Sequence, residues 1–113
     1  MSVVVVGLSH GTAPADLLER AHVGAEAAEK LMAPLVAHPD VDEVVVLATC
    51  QRTELYAAAS QFHPATDAMR LALAQHAGVD VAVVTEHGYA FHAEHALHHL
   101  FSVSCGLDAA VVG

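Results

Sequence analysis

The stretch Val41-Asp-Glu-Val-Val-Val-Leu-Ala48-Thr-Cys50-Gln-Arg52-Thr-Glu54-Leu-Tyr-Ala-Ala-Ala59 decides the fold. Val41 to Ala48 is the strongest strand signal in the chain, β-branched through Val44, Val45 and Val46. Glu54 to Ala59 alternates loosely and is predicted to run back antiparallel. Thr49-Cys50-Gln51-Arg52-Thr53 then forms a hairpin loop, with Cys50 at its tip.

Upstream, His38-Pro39-Asp40 marks a turn, and Ala25 to about His38 has a helical period with apolar positions at Ala28, Leu31, Met32 and Leu35. Pro34 predicts a kink or an early end there. Thr12-Ala13-Pro14 signals the start of a short helix reaching Arg20, with Thr12 as a cap. Val3 to Leu8 is continuous and β-branched, a strand covered on both faces, and Gly7 near its end predicts a close backbone approach or a bend. Downstream, His63-Pro64 opens a helix over Ala65 to Ala77 that Gly78 ends. Val79 to Val84 and Glu86 to Phe91 are predicted strands, and Ala93 to Cys105 a final helix. The elements follow the split β-α-β pattern, so the predicted fold is α+β, a ferredoxin-like split β-α-β sandwich with extra helices. The apolar tail Ala109 to Gly113 is expected to be poorly ordered or borrowed by a neighbouring molecule, at a cut inside a longer protein.

The 113 residues suffice for one domain with a modest core, and a hydrophobic content of 55% against 15% charged residues predicts a folded globule. Thirteen acidic against four basic residues give a net charge of −9, which argues against a main platform for nucleic-acid phosphates. The apolar start carries no preceding Lys or Arg and is too short to span a bilayer, so no membrane role is expected. With two cysteines, Cys50 and Cys105, and no other sign of an oxidising compartment, free thiols and a cytoplasmic location are predicted.

Three groups of residues could carry chemistry. Cys50 follows a buried strand and precedes Arg52. An ordinary thiol is only a few per cent ionised at neutral pH, and a nearby guanidinium raises that fraction. Arg52 could equally clamp a carboxylate through its planar fork, and Cys50 could be a buried structural cysteine. His92, His95 and His99 share one helical face by their spacing, and so could hold zinc, be solvated, or supply an acid or base through His99. They do not form the H-E-x-x-H arrangement. Ser9, His10 and Thr12 end the first strand, where turn and cap roles compete with functional ones. Gly7 lacks the rest of a dinucleotide fingerprint.

Taken together, Gly7-Leu-Ser9-His10-Gly11-Thr12-Ala-Pro14, Ala48-Thr49-Cys50-Gln51-Arg52-Thr53-Glu54-Leu-Tyr56, and His99-Leu-Phe101 followed by Gly106-Leu-Asp108 resemble the glutamyl-tRNA reductase family. The resemblance runs in order from end to end. It implies NADPH-dependent reduction of glutamyl-tRNA to glutamate-1-semialdehyde, the opening step of tetrapyrrole (porphyrin and heme) synthesis. It also implies a ferredoxin-like catalytic domain followed by NADPH-binding and helical dimerisation domains. Residues 1–113 would then be the catalytic domain alone, without its last part. By the same resemblance, Cys50 is the nucleophile forming a thioester, Arg52 holds the substrate, and Thr49 and Glu54 flank it. His99 assists catalysis, and Ser9, His10 and Thr12 line the glutamate pocket. NADPH would bind on a domain absent from this chain, and no metal is implied. The full-length protein would be a homodimer, with glutamate-1-semialdehyde aminomutase as a further partner. Gln51 stands where the family usually has Asn, and Gly11 where it has a basic residue. Two other readings compete: a non-catalytic ferredoxin-like ligand-binding module, with an unreactive Cys50, and a histidine-rich metal module, losing zinc on mutation of His95 and His99.

Overall fold

The computed structural model describes residues 2–92 and 110–112. Its elements run β1 (Ser2–Ser9), α1 (Ala15–Ala21), α2 (Ala25–Val36), β2 (Val41–Ala48), β3 (Arg52–Ala59), α3 (Phe62–Ala77), α4 (Val81–His87), β4 (Tyr89–His92) and β5 (Ala110–Val112). The strands form one sheet in the order β4-β1-β3-β2-β5, and every neighbouring pair is antiparallel. Because β1 and β2 are both antiparallel to β3, they are parallel to each other with β3 between them. The chain therefore crosses over twice, through α1 and α2 from β1 to β2 and through α3 and α4 from β3 to β4. The helices and strands of the chain are thus α+β.

Residue alternation gives the sheet two different faces. Val4, Val6 and Leu8 of β1 pack with Val44, Val46 and Ala48 of β2 and with Leu55, Ala57 and Ala59 of β3, beneath Leu17, Leu18, Leu31, Leu35, Met69 and Leu73 of the helices. Ala57 and Ala59 lie within the same core as Ala65 of α3. A bulge between Val41 and Glu43 supplies the extra residue that keeps both Val41 and Val44 in this core. The opposite face carries a smaller cluster of Val5, Leu47 and Tyr56, with Val3, Val45 and Phe91 against it.

The hairpin β2–β3 forms as its sequence predicts, with β3 beginning two residues earlier, at Arg52. Helix α2 ends at Val36, two residues past Pro34 and short of the predicted His38. Helix α3 starts at Phe62, so Pro64 lies in the first turn, where a missing N–H leaves no bond unmade. Gly78 closes α3 in the left-handed conformation at φ +71°, and the Val79 amide donates back to the Ala74 carbonyl oxygen.

Three expectations are corrected. The stretch Val79 to Val84, read as a strand, instead contributes to α4: Val84 is buried, the Gly88 amide donates to its carbonyl oxygen, and the helix packs on α3. A run of four apolar residues does not distinguish a buried strand from a helical turn, and here packing on α3 decides. Thr12 does not cap α1. Its Oγ1 accepts from the Ser9 amide at 3.1 Å, and Pro14 stands at the N-cap without a side-chain hydrogen bond. Finally, Ala110–Val112 is a fifth strand on the edge of β2, with Leu47 opposite Val111, and belongs to this chain's own sheet. The predicted helix from Ala93 to Cys105 lies outside the described residues.

Candidate functional site

The end of β1, the β2–β3 hairpin and the end of α1 converge on Cys50. Strand pairing runs to Ser9 opposite Arg52, and the next residue, His10, donates its amide to the Gln51 carbonyl oxygen at 2.8 Å. The hairpin is fixed from within by Thr49. Its Oγ1 accepts from the amides of Gln51, at 3.1 Å, and Arg52, at 3.2 Å, while its own amide donates to the Arg52 carbonyl oxygen at 2.8 Å. Two backbone donors of the turn are thus satisfied by one hydroxyl. Cys50, at the tip, is exposed and is a free thiol.

Because Thr49 Oγ1 takes the Arg52 amide, the Thr49 carbonyl oxygen faces another partner. His22 Nδ1 lies 3.3 Å from it, and His76 Nε2 lies 2.8 Å from the His22 carbonyl oxygen. A carbonyl oxygen only accepts, so in this contact Nδ1 of His22 is the donor. A pocket of about 540 Å³ opens beside the hairpin, lined by His10, Ala13, Leu18, His22, Thr49 and Cys50, with Ala15 and Glu19 at its wall. It joins a free thiol, two imidazoles and an apolar wall. Sequence reasoning missed His22, because no spacing links the end of the first helix to a loop 27 residues away.

Arg52 and Glu54 project from the other face of the sheet. Arg52 Nη1 lies 3.8 Å from Glu54 Oε2, and the Glu54 side chain is fully buried. Tyr56 donates its hydroxyl to Glu54 Oε1 at 3.0 Å, and Tyr89 donates to Oε2 at 2.5 Å. Burial, and then the Glu54 charge, push both phenols well above their ordinary range. Gly7 sits opposite Glu54 on one side and Tyr89 on the other. A Cβ there would come within 2.8 Å of Glu54 Cγ and 3.0 Å of Tyr89 Oη, so the missing side chain is what lets the phenol reach the carboxylate. The close approach expected at Gly7 is found; Tyr56 closes the second motif but was given no role there, and Tyr89 lies in no motif.

Of the residues singled out in the sequence, His10, Thr49 and Cys50 line one pocket, Ser9 and Thr12 form the turn that delivers His10, and Arg52 and Glu54 form a pair beneath the opposite face. His95, His99 and Cys105 lie outside the described residues. His92 is exposed on β4 and packs its ring against Phe62 at 4.6 Å between centroids. Among the described residues no three His, Cys, Asp or Glu side chains group as metal ligands, and no helix is long and apolar enough to cross a membrane.

The family model described as "Glutamyl-tRNAGlu reductase, N-terminal domain" matches residues 6–113. The chain belongs to the glutamyl-tRNA reductase family. It is 49% identical over 113 residues to the glutamyl-tRNA reductase of Streptomyces coelicolor and 48% identical to that of Thermobifida fusca, and each alignment covers all of the chain. It spans 19% of the first of these relatives and 24% of the second. Among solved structures, the glutamyl-tRNA reductase from Methanopyrus kandleri superposes with a TM-score of 0.61 at 25% identity, over 94% of this chain and 23% of that one. The resemblance read from the three motifs is thereby borne out at the level of the family.

The described residues do not fit a nicotinamide dinucleotide. A pyrophosphate cradle needs an open glycine turn leading directly into a helix. Here the space at Gly7 is filled by Glu54 and Tyr89, and α1 begins only at Ala15.

Proposed function

We propose that this chain is the acyl-accepting domain of a glutamyl-tRNA reductase, in which Cys50 takes the glutamyl group from glutamyl-tRNA as a thioester. The observation that carries the reading is the exposed Cys50 thiol, held on a hairpin pinned by Thr49 and lining one pocket with His10 and His22. Sulfur attacks the ester carbonyl carbon, a C–S bond forms, and the C–O bond to the ribose breaks. The thiol proton passes to a pocket imidazole and leaves on the ribose oxygen, so thiol plus ester become thioester plus alcohol. A pinned nucleophile loses little freedom on reaction, which lowers the barrier through positioning.

In this reading Ser9, His10 and Thr12 shape the glutamate pocket, Thr49 orders the nucleophile's loop, Arg52 binds the substrate carboxylate, and His99 assists catalysis. The fold is read as a ferredoxin-like split β-α-β sandwich, supported by the β4-β1-β3-β2 order and the two interleaved crossovers. Reduction by NADPH to glutamate-1-semialdehyde, within tetrapyrrole synthesis, is assigned to a nucleotide domain of a longer homodimeric protein. The aminomutase that consumes the semialdehyde is a candidate partner, and the cytoplasm the expected location.

The test is acid-trapping of radiolabelled glutamate on the protein. Wild-type chain is expected to hold alkali-labile label on Cys50 and to form no semialdehyde when NADPH is supplied. Cys50→Ser is expected to lose the label while keeping its melting temperature, since sulfur to oxygen is a small change at an exposed site. Label retained by Cys50→Ser, or hydride consumed by this chain alone, would refute the reading. An unreactive Cys50 and no response to glutamyl-tRNA would favour a plain ligand-binding module.

A further inference from the structure

Glu54 stands in the same motif as Cys50 and Arg52, yet its surroundings differ from those of a substrate contact. Its side chain is fully buried, and each carboxylate oxygen accepts a hydrogen bond from a phenol. A carboxylate also has only acceptors, so facing a substrate carboxylate it would repel it. What lies beside it is Arg52, at 3.8 Å, beyond direct hydrogen-bond distance but close enough for a strong attraction in a buried setting. The Arg52 side chain is 16% exposed, and its buried Nε–H has no hydrogen-bond partner among the described residues. The guanidinium is therefore held by charge while its Nε–H stays unspent among the described residues.

We propose that Glu54 is a positioning residue, clamped by the Tyr56 and Tyr89 hydroxyls in space left by Gly7, and that it acts through Arg52. It fixes the Arg52 guanidinium beside the nucleophile's hairpin so that its donors meet the carboxylate of the aminoacyl group. The inference rests on the thioester reading for its substrate, and not for its geometry. The phenols satisfy the lone pairs of Glu54 that would otherwise draw the Arg52 donors inward, and they hold the carboxylate in one rotamer from two strands at once. The arrangement spans β3, β1 and β4, so the third partner, Tyr89, comes from a segment 35 residues from Glu54.

Two measurements test it. In single-turnover acylation of Cys50 by labelled glutamyl-tRNA, Tyr56→Phe/Tyr89→Phe and Glu54→Gln are each expected to raise the half-saturating concentration about tenfold, with the limiting rate changed by less than about threefold. In an Arg52→Ala background neither substitution should have any further effect, because both act through the guanidinium. Full additivity in that background would overturn the proposal. Independently of any acylation, hydrogen exchange of the Arg52 Nε–H, followed by NMR on the folded chain, is expected to accelerate at least about tenfold in Glu54→Gln and in the double phenylalanine variant. Unchanged exchange would overturn the proposal even if acylation fell. Accelerated exchange in a chain that is never acylated would support the positioning role and refute the thioester reading. The substitutions are near-isosteric, so loss of the fold does not obscure either result.

Discussion

A methyl group at position 7 would lie 2.8 Å from Glu54 Cγ and 3.0 Å from both Tyr89 Oη and the Thr53 carbonyl oxygen. The carbonyl belongs to the paired backbone and gives little, so Gly7→Ala is expected to cost about 1–3 kcal/mol, as overpacking of a well-filled site does. A melting temperature lowered by roughly 5 °C or more would show it, and an unchanged one would mean that β4 slides away without penalty. The two phenols bonded to Glu54 carry a second consequence. In the native chain Tyr56 and Tyr89 hold their protons well above the range of a free phenol, because burial and the Glu54 charge oppose ionisation. In the unfolded chain they ionise near pH 10. Above that pH the unfolded state has lost protons that the native state keeps, so stability is fully present below about pH 10 and falls as pH rises. The slope is at most about 1.4 kcal/mol per pH unit for each phenol. Urea unfolding between pH 9 and 11 is expected to show this loss in the parent chain and to show it flattened in Tyr56→Phe/Tyr89→Phe.

At the scale of elements, the β2–β3 hairpin is held less by its two tip residues than by Thr49, whose hydroxyl accepts from both the Gln51 and Arg52 amides. Thr49→Ala strands those donors at a partly exposed site and is expected to cost about 1 kcal/mol. Its larger effect falls on Cys50: with the tip loosened, acylation should slow by about tenfold or more, as a misplaced nucleophile does. Thr49→Ser, which keeps the oxygen, should restore most of the rate. Equal rates in all three chains would show that the hairpin needs no internal clamp. The same element explains why Arg52 and Cys50 part company. Cys50 is at the turn and lines the pocket on the helical side, whereas Arg52 already belongs to β3 and follows its alternation to the other face, beside Glu54.

For the whole molecule, helices cover one face of a sheet whose other face bears the Glu54 network, and Cys50 stands at the end of the sheet between the two. Among the described residues no three His, Cys, Asp or Glu side chains group as metal ligands, and the histidines between 92 and 99 lack the H-E-x-x-H spacing, so treatment with a chelator is expected to leave the melting temperature unchanged. A fall of several degrees, reversed by zinc, would instead favour the histidine-rich metal reading.

The elements that local pattern controls were legible in the sequence. The β-branched runs of β1 and β2, the glycine that ends α3 and the turn around Cys50 each follow from the conformations those residues prefer, and the three motifs were enough to point to the family. Tertiary structure alone decided the rest. Whether Val81 to Val84 is strand or helix depends on packing against α3, since four apolar residues satisfy either period. Whether Ala110–Val112 pairs at all depends on the open edge of β2. The site divides in the same way. Cys50 and Arg52 are neighbours in sequence, but His22, Tyr89 and Gly7 join them only because strand order and register bring distant segments within hydrogen-bond distance, and no local preference of a residue encodes a contact made across the sheet.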